Sequence, residues 1–398
     1  MRKLGVLAPL VAAVLALAPS AAATTFAGPV AAPPASALIG MNGGGPLLGL
    51  PDAQLLADLD AMRNAGAGWV RLDVDWSSIE PTRGNQNWTN TDRVVNAART
   101  KGLQVVGIAA YTPRWAQDPS VAPGTSHGRP ASSAQFGAFA GQAAAHFAGR
   151  INIWEVWNEP NLSSFFSPRV DPAFYTSMLQ SSAAAIRAAA PGAWVVGGAL
   201  APGVDSSDGS SASPLTFLQQ MYAHGAKDAM DAVSIHPYSF PALPSNSSTA
   251  SWNTFYRLRN AHDIMVNNGD GAKKIWLTEF GTPTGPGGDA VSEQQQAAII
   301  ADGLTTARSF DYLGPLFVYE IRDGATGTAN IEDNFGLLHT DRSAKPAYAV
   351  VAQQAAMDAS TQAPVVTTPP PPPTPTAPIS LFDLLWTWLL ALFGLSPH

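Results

Sequence analysis

Residues 151–160 read Ile-Asn-Ile-Trp-Glu-Val-Trp-Asn-Glu-Pro, an apolar, strand-like run that reaches Glu159. A second run of this kind, Lys274-Ile-Trp-Leu-Thr-Glu-Phe-Gly281, reaches Glu279. A carboxylate at the end of a buried strand is costly for stability unless it is paired or has another role. Two such strands indicate two carboxylates that face each other across one pocket.

Around these runs the chain alternates strand-like and helix-like segments. The strands are predicted at 37–42, 69–74, 103–110, 151–157, 193–199, 231–236, 275–279 and 315–320. The helices are predicted to begin near Asp52, Thr91, Ser132, Pro172, Pro214, Ser251, Ser292 and Pro346, several of which are residues preferred at helix N-termini. Eight strands, each followed by a helix, predict an α/β fold, the (β/α)8 TIM barrel.

A doubly wound open sheet is the alternative fold. It would be favoured by a glycine-rich phosphate loop after an early strand, and Gly43-Gly-Gly45 lacks that pattern. The barrel also gives the two glutamates a reason to meet, because active-site groups of such barrels lie at the C-terminal ends of the strands. Glu159 and Glu279 end predicted strands four and seven, and 120 residues, or three repeats of about 40, separate them.

The composition of the 398-residue chain fits one large domain and excludes a nucleic-acid binder. Charged residues make up 13% of the chain and the net charge is −7, so no basic surface for nucleic acid is expected. Eleven tryptophans are present, and their flat faces suit sugar rings as well as a protein core. No H-E-x-x-H motif or cluster of histidines occurs, so neither a metal nor another cofactor is expected.

The N-terminus has the pattern of a signal peptide at residues 1–23. Arg2 and Lys3 precede an apolar run, and Ala21-Ala-Ala23 resembles a cleavage site. An N-terminal membrane anchor is the alternative, although the run is short for a membrane span. The chain has no cysteine, which fits bacterial export better than eukaryotic secretion. We therefore expect a secreted or cell-envelope protein.

The remainder divides into four further parts. A short N-terminal segment covers 24–36, the catalytic domain is expected at 37–360, and a Pro/Thr-rich linker at 361–378. Residues 379–398 are predicted to form an apolar helix. Its 379–395 stretch is slightly short for a span and contains Asp383, so association with a membrane or the cell envelope is one expectation and folding back as a tail is the other.

Three motifs give the chain a family resemblance. Trp157-Asn-Glu-Pro160, His236-Pro-Tyr238 and Thr278-Glu-Phe-Gly281 resemble the strand-four, strand-six and strand-seven motifs of clan A glycoside hydrolases. That clan includes the family five cellulase-like enzymes and the family thirty-nine glycosidases. A late segment, 317–348, is most similar to bacterial members that act on exopolysaccharides or envelope glycans. The resemblance covers roughly residues 37–355.

The resemblance implies a retaining glycoside hydrolase that cleaves O-glycosidic bonds, expected to be β-linked, in a polysaccharide or oligosaccharide. By residue matching, Glu159 is the general acid/base and Glu279 the nucleophile. Such sites hold the two carboxyls about 5–5.5 Å apart. Asn158 is then expected to bond the sugar 2-hydroxyl, and Arg71 to keep the nucleophile ionised.

The remaining site residues flank these. His236 and Tyr238 match the pair that orients the nucleophile and borders the catalytic subsite. Many clan members end strand eight on a tryptophan, whereas this chain has Tyr319-Glu320; Tyr319 is expected as the platform, and Glu320 as a ligand of sugar hydroxyls. Aromatic residues after strands two to four are candidates for stacking on sugars or for core packing: Trp76, Tyr111, Trp115, Phe165 and Phe166.

Two rival functions remain open at this point. Gly124-Thr-Ser-His-Gly128 matches the G-x-S-x-G pattern of serine hydrolases, but Ser126 lies in a Pro- and Gly-rich loop where a strand–turn–helix is required. A non-catalytic glycan-binding protein on the same barrel is the second rival. The sugar itself is left open among β-glucan, a β-xyloside, galactofuran and a biofilm or cell-wall glycan.

Overall fold

The computed structural model describes residues 38–43 and 46–361, with side chains as far as Asp358. The expected signal peptide, linker and C-terminal apolar helix lie outside these residues. The first compact unit of the chain ends at Ala359, and the description below concerns that unit. Within the described residues, no helix is both long and apolar enough to cross a membrane.

Eight parallel strands form a closed barrel in sequence order, so the predicted fold is confirmed. Strands β1 to β8 are Ile39–Asn42, Trp69–Asp75, Gln104–Ala110, Ile153–Val156, Trp194–Leu200, Ala232–Ile235, Lys274–Phe280 and Leu313–Val318. The parallel pairing of β1 with β8 closes the barrel, as Met41 pairs with Val318. The runs of Val, Ile and Ala form strands because both faces of a barrel strand are buried.

Ten α-helices accompany the strands within the described residues. Helices α1 to α10 are Pro46–Gly49, Asp52–Asn64, Trp76–Ile79, Thr89–Thr100, Ser133–His146, Pro172–Ala189, Pro214–Ala223, Leu258–Asn267, Glu293–Arg308 and Pro346–Thr361. Side-chain caps fix several of the predicted starts: Ser132 caps α5, Asp171 caps α6, and Ser292 forms a capping box with Gln295 at α9. The short helices α1 and α3 were not predicted.

The helix start predicted near Ser251 is wrong, because α8 begins only at Leu258. The buried side chain of Asn253 bonds instead to the Leu243 carbonyl and to Thr249, and it accepts from the Tyr256 amide. These local bonds give the backbone an alternative to helical bonding, as asparagine commonly does.

The barrel interior is closed below the active-site end by one layer of side chains. One residue from each of β2 to β8 contributes: Trp69, Val106, Ile153, Val196, Ala232, Trp276 and Phe317. Strand β1 contributes Gly40, where an added Cβ would lie 2.3 Å from the ring of Phe317. Glycine is required there because the aromatic ring already fills the space. A larger core packs the outer faces of the strands against the helices.

Candidate active site

A pocket opens at the C-terminal ends of the strands, with a cavity volume of about 390 Å³. Its wall is formed by Asn42, Pro46, Arg71, Asp73, Tyr111, Asn158, Glu159, Leu162, Phe165, Ala201, Pro202, Tyr238, Phe240, Glu279, Tyr319, Glu320, Glu332 and Phe335. Both predicted catalytic glutamates are among them, as are Asn158, Arg71, Tyr238, Tyr319 and Glu320. Strand ends distant in sequence therefore meet at one face, as a closed barrel requires.

Glu159 enters the pocket through an unusual backbone conformation. Along β4, Ile153 and Glu155 point into the barrel, whereas Trp154 packs in the outer core. After the strand, Trp157 and Glu159 adopt φ values of 71° and 51°, a left-handed region that non-glycine residues rarely adopt. Such strain costs about 1–3 kcal/mol per residue and tends to occur at functional sites.

Glu279 enters the pocket because the side-chain alternation of β7 is interrupted. Trp276 points into the barrel, and Leu277 packs in the outer core, so strict alternation would turn position 279 outward. The register between β7 and β8 shifts on either side of Leu277, and Phe280 packs outward. A shift of this kind redirects a side chain beside an active site.

Arg71 joins the two strand ends. Its side chain is 2% exposed, and its guanidinium donates to three acceptors: Glu155 at 2.6 Å, Glu279 at 2.7 Å and Asn158 at 2.8 Å. Glu155, which points into the barrel from β4, is the completely buried partner of this cation. Because Arg71 bonds to Oδ1 of Asn158, the amide nitrogen of Asn158 is left to donate into the pocket.

The histidine and tyrosine of the strand-six motif contact different glutamates. Nδ1 of His236 lies 2.9 Å from Oε1 of Glu159 and 3.5 Å from Oε2 of Glu279. The hydroxyl of Tyr238 donates to Oε2 of Glu279 at 2.9 Å. His236 therefore lies closer to Glu159 than to the carboxylate that the sequence expected it to orient, whereas Tyr238 contacts Glu279 as expected.

The two glutamates have opposite pKa shifts. Burial raises the pKa of Glu159, and the charge of Glu279 raises it further, against the lowering effect of His236. Burial would also raise the pKa of Glu279, but the charges of His236 and Arg71 and the hydrogen bonds from Tyr238 and Arg71 outweigh it and lower that pKa. One carboxyl is thus adapted to hold a proton and the other to be ionised.

Tyr319 and Glu320 lie at the end of β8, where the sequence departs from the tryptophan of many clan members. The ring of Tyr319 packs edge-on against Phe335 at 5.2 Å and Tyr238 at 6.4 Å, and the peptide bond between Tyr319 and Glu320 is cis. Burial raises the pKa of Glu320 to about 8, and the charge of Asp323 adds to the effect.

Sequence reasoning missed two further carboxyl groups of the pocket, Asp73 and Glu332. Asp73 was detectable, because it lies two residues after Arg71 on β2 and therefore on the same inward face. Glu332 lies in a short 3₁₀ turn after β8, and no local pattern marks it.

Comparison with known families decides the identity of this barrel. The family model of cellulase, glycosyl hydrolase family 5, matches residues 36–312. The chain belongs to glycosyl hydrolase family 5. The expected membership of clan A is thereby confirmed, and the motifs around Glu159, His236 and Glu279 lie within the matched residues of this family 5 member. No curated protein matches the sequence significantly.

Solved structures share the fold of this family 5 member at low sequence identity. A family 39 glycoside hydrolase from Bacteroides cellulosilyticus WH2 has a TM-score of 0.65 and 23% identity, over 80% of this chain and 63% of that one. A monomeric β-xylosidase from Caulobacter crescentus CB15 has a TM-score of 0.61 and 20% identity, over 82% and 68%.

A third similar structure is GH5_18 from Streptomyces cattleya, solved in complex with GlcNAc. Its TM-score is 0.60 and its identity is 18%, over 82% of this chain and 81% of that one. The family 5 member thus spans less than two thirds of the Bacteroides structure, but most of the Streptomyces one. At identities of 18–23%, the similarity to these structures shows a shared fold and nothing further.

Trp76 and Trp115 require a correction, because neither lines the pocket. They border a separate surface depression with Glu80 and Arg83. Trp76 is 2% exposed and stacks on Phe139 of α5 at 5.2 Å. The physical reason is the alternation along β2: Trp69, Arg71 and Asp73 point inward, so Trp76 points outward. Of the other aromatic candidates, Tyr111 and Phe165 do line the pocket, whereas Phe166 is buried.

The serine-hydrolase alternative lacks its structural context in this family 5 member. Ser126 is exposed in the loop between β3 and α5, and no strand directly precedes it. A nucleophile elbow needs a strand before the serine and a helix after it.

One trio of side chains has the spacing of metal ligands: an atom each from Glu159, His236 and Glu279 lie within 4.8 Å of one another. In the described structure these atoms are engaged with each other and with Arg71 and Tyr238. The carboxylate and Nδ1 atoms of this trio therefore already have protein partners, whereas Nε2 of His236 is buried without one.

Proposed function

We propose that this family 5 member hydrolyses O-glycosidic bonds in a polysaccharide or oligosaccharide with retention of anomeric configuration. Glu279 is the nucleophile, Glu159 is the general acid/base, and the reaction passes through a covalent glycosyl-enzyme. The expectation that the bond is β-linked rests on the family resemblance, and the β-xylosidase among the similar structures agrees with it.

The observation that carries the proposal is the short separation of the two carboxyls, which offer oxygens within 4.8 Å of each other. Retaining enzymes hold these groups about 5–5.5 Å apart, whereas inverting enzymes need about 6.5–9.5 Å to admit a water molecule. The separation supports direct attack by a carboxylate on the anomeric carbon.

The surroundings of each carboxyl support the division of roles. Arg71 and Tyr238 stabilise the charge of Glu279, which suits a nucleophile. Burial and the nearby charge of Glu279 raise the pKa of Glu159, which suits a proton donor. When Glu279 becomes a neutral ester, this repulsion disappears, so the pKa of Glu159 falls and it can accept a proton from water.

The proposed reaction has two steps, formation and hydrolysis of the glycosyl-enzyme. Oε of Glu279 forms a bond to the anomeric carbon while the bond to the leaving oxygen breaks, and that oxygen takes the proton of Glu159. A water molecule then attacks the same carbon, its proton passes to Glu159, and the bond to Glu279 breaks. Because Arg71 bonds to Oδ1 of Asn158, the amide nitrogen is available to donate to a sugar hydroxyl beside the reacting carbon.

Product stereochemistry tests the proposal. A polysaccharide panel that includes the organism's own envelope glycans is digested, with the Glu279→Ala variant as the blank. NMR of the first product formed should show the anomeric configuration of the substrate. Initial inversion would exclude the retaining mechanism, and binding without turnover on every glycan would favour the glycan-binding alternative.

We also propose that the protein is exported, with residues 1–23 as its signal peptide and 379–395 as a segment that associates with the membrane or envelope. The sequence patterns of these two segments support the proposal. Cell fractionation of the full chain and of a chain ending at residue 378 tests it: envelope association should be lost in the shortened form. Recovery of both forms in the cytoplasm with an intact N-terminus would contradict export.

A further inference from the structure

One side of the pocket carries three carboxyl groups that the proposed bond cleavage does not use. Asp73 lies on β2, Glu320 follows β8, and Glu332 lies in the turn beyond it. Strands β8 and β2 both pair with β1, so Asp73 and Glu320 lie on the same arc of the barrel mouth. We call these three residues the acidic wall.

The carboxyl groups of the acidic wall have no hydrogen-bond partner among the described residues. The structure gives Asp73, Glu320 and Glu332 no side-chain hydrogen bond or ion pair with any residue that it describes. Among the described residues that line the pocket, Arg71 is the single permanent cation. Its guanidinium is already bonded to Glu155, Glu279 and Asn158, so it does not neutralise the wall.

Burial and neighbouring negative charges disfavour the ionised form of the carboxyl groups in the acidic wall. Burial, followed by the charges of Asp75 and Glu279, raises the pKa of Asp73 to about 7 despite the nearby Arg71. Burial also raises the pKa of Glu332, with Glu279 and Glu159 adding to it. These raised pKa values leave Asp73 partly and Glu320 largely protonated at neutral pH. A positive charge on the ligand would lower the two pKa values and so favour the ionised carboxylates.

We propose that the acidic wall selects a glycan whose sugar units carry a free amine, as in a de-N-acetylated amino sugar. This inference rests on the proposed function and names the substrate class for the same pocket. A protonated amine favours the ionised form of these carboxyls and forms charge-assisted hydrogen bonds with them, whereas the carboxylate of a uronate, or a sulfate, finds no opposite charge there. A neutral sugar makes only ordinary hydroxyl bonds there.

The acidic wall is proposed to determine substrate specificity through the charge of its carboxylates. Asn and Gln have the shape of Asp and Glu and still accept a hydrogen bond, but they carry no charge. The double substitution Asp73→Asn/Glu320→Gln therefore separates recognition of a cation from the general binding of hydroxyl groups.

Binding is measured by calorimetry on the full chain carrying Glu159→Gln, which removes the proposed acid and keeps the three carboxyl groups of the wall. The probes are matched β-1,4-linked oligosaccharides of glucosamine, N-acetylglucosamine, glucose and glucuronate. We expect the glucosamine oligomer to bind about tenfold more tightly than the glucose oligomer at low salt. The preference should shrink in about 0.5 M salt because the charges are screened.

In the Asp73→Asn/Glu320→Gln background, the preference for the amine should fall below about twofold. Asp311→Asn is the matched control: this exposed aspartate precedes β8, at the opposite end of the barrel, and should leave the preference intact. Equal or tighter binding of the neutral oligomer, no binding of any probe, or an unchanged preference in the double variant would overturn the inference. If the Glu159→Gln variant binds the amine selectively but the chain with Glu159 intact hydrolyses none of the probes, the result would instead contradict the proposed function alone.

Discussion

Nη1 of Arg71 donates to Oε1 of Glu279 at 2.7 Å, although 208 residues separate them in the chain. Through Nε, the same guanidinium bonds to Glu155, which is completely buried. One cation therefore compensates a buried carboxylate of the barrel interior and holds the proposed nucleophile ionised. The barrel interior and the proposed nucleophile therefore share one cation.

Arg71→Met should lower the free energy of unfolding by roughly 3–5 kcal/mol, because Glu155 is left as an unpaired buried charge. Urea denaturation measures this. The double variant Arg71→Met/Glu155→Gln should regain part of the loss, since it removes the orphaned charge. A single variant within about 1 kcal/mol of wild type would show that the pair does not stabilise the barrel.

Glu159→Ala and Glu279→Ala should each remove most activity. Loss of the acid should cost about 10²–10⁴-fold in kcat/KM, and less on a substrate with a good leaving group, which needs no proton. Azide should partly restore Glu279→Ala and give a glycosyl azide of inverted configuration. Near wild-type turnover by both variants on the true substrate would refute the mechanism.

The pH dependence of kcat/KM should be bell-shaped. Activity requires Glu279 ionised, and its lowered pKa places the acidic limb below about 4.3, the ordinary value of a glutamate. It also requires Glu159 protonated, and its raised pKa places the alkaline limb above that value. Initial rates measured across pH 3 to 9 check both limbs. An optimum with both limbs on the acidic side of the ordinary value would contradict the assignment.

Tyr238→Phe should move the acidic limb to higher pH. The variant loses the hydrogen bond that stabilises the ionised form of Glu279, so the pKa of Glu279 rises. Tyr319→Phe is the matched control, since Tyr319 lines the same pocket and the described structure gives it no bond to Glu279. Equal shifts in the two variants would indicate a general loss of polarity in the pocket.

Asp73→Asn should stabilise the protein at pH 8 and leave it nearly unchanged at pH 4. The folded-state pKa of Asp73 is raised to about 7, so its favourable contribution is complete below its ordinary value and is lost as the pH rises through about 7. The neutral amide does not incur that loss. We expect the Tm difference between variant and wild type to be about 2 °C greater at pH 8 than at pH 4. Asp311→Asn should show no such dependence on pH.

The sequence predicted most of the barrel because buried strands and capped helices are specified locally. Runs of Val, Ile and Ala marked all eight strands within a few residues, and Ser132, Pro172 and Ser292 marked helix starts. The start predicted at Ser251 failed because the bonds of Asn253 reach as far as Leu243, ten residues away in the chain.

The candidate site was predictable where motif and strand end coincide, as at Glu159, His236 and Glu279. Trp76 was misplaced because proximity to a strand end was considered without the alternation that turns it outward. Glu332 reaches the pocket only through the fold of the long connection after β8, which no local pattern encodes. Side-chain direction, more than strand position, limited the prediction.

The layer of side chains across the barrel interior, in which Phe317 packs against Gly40, limits the directions from which molecules can reach the pocket. The side chains of this layer, Trp69 and Trp276 among them, are buried and packed together, so they fill the barrel interior below the pocket. In the proposed mechanism, the departing sugar or aglycone and the incoming water of the second step would both use the open side of the pocket at the strand ends. In that mechanism, the leaving group would then have to depart through this opening before water could reach the covalent intermediate.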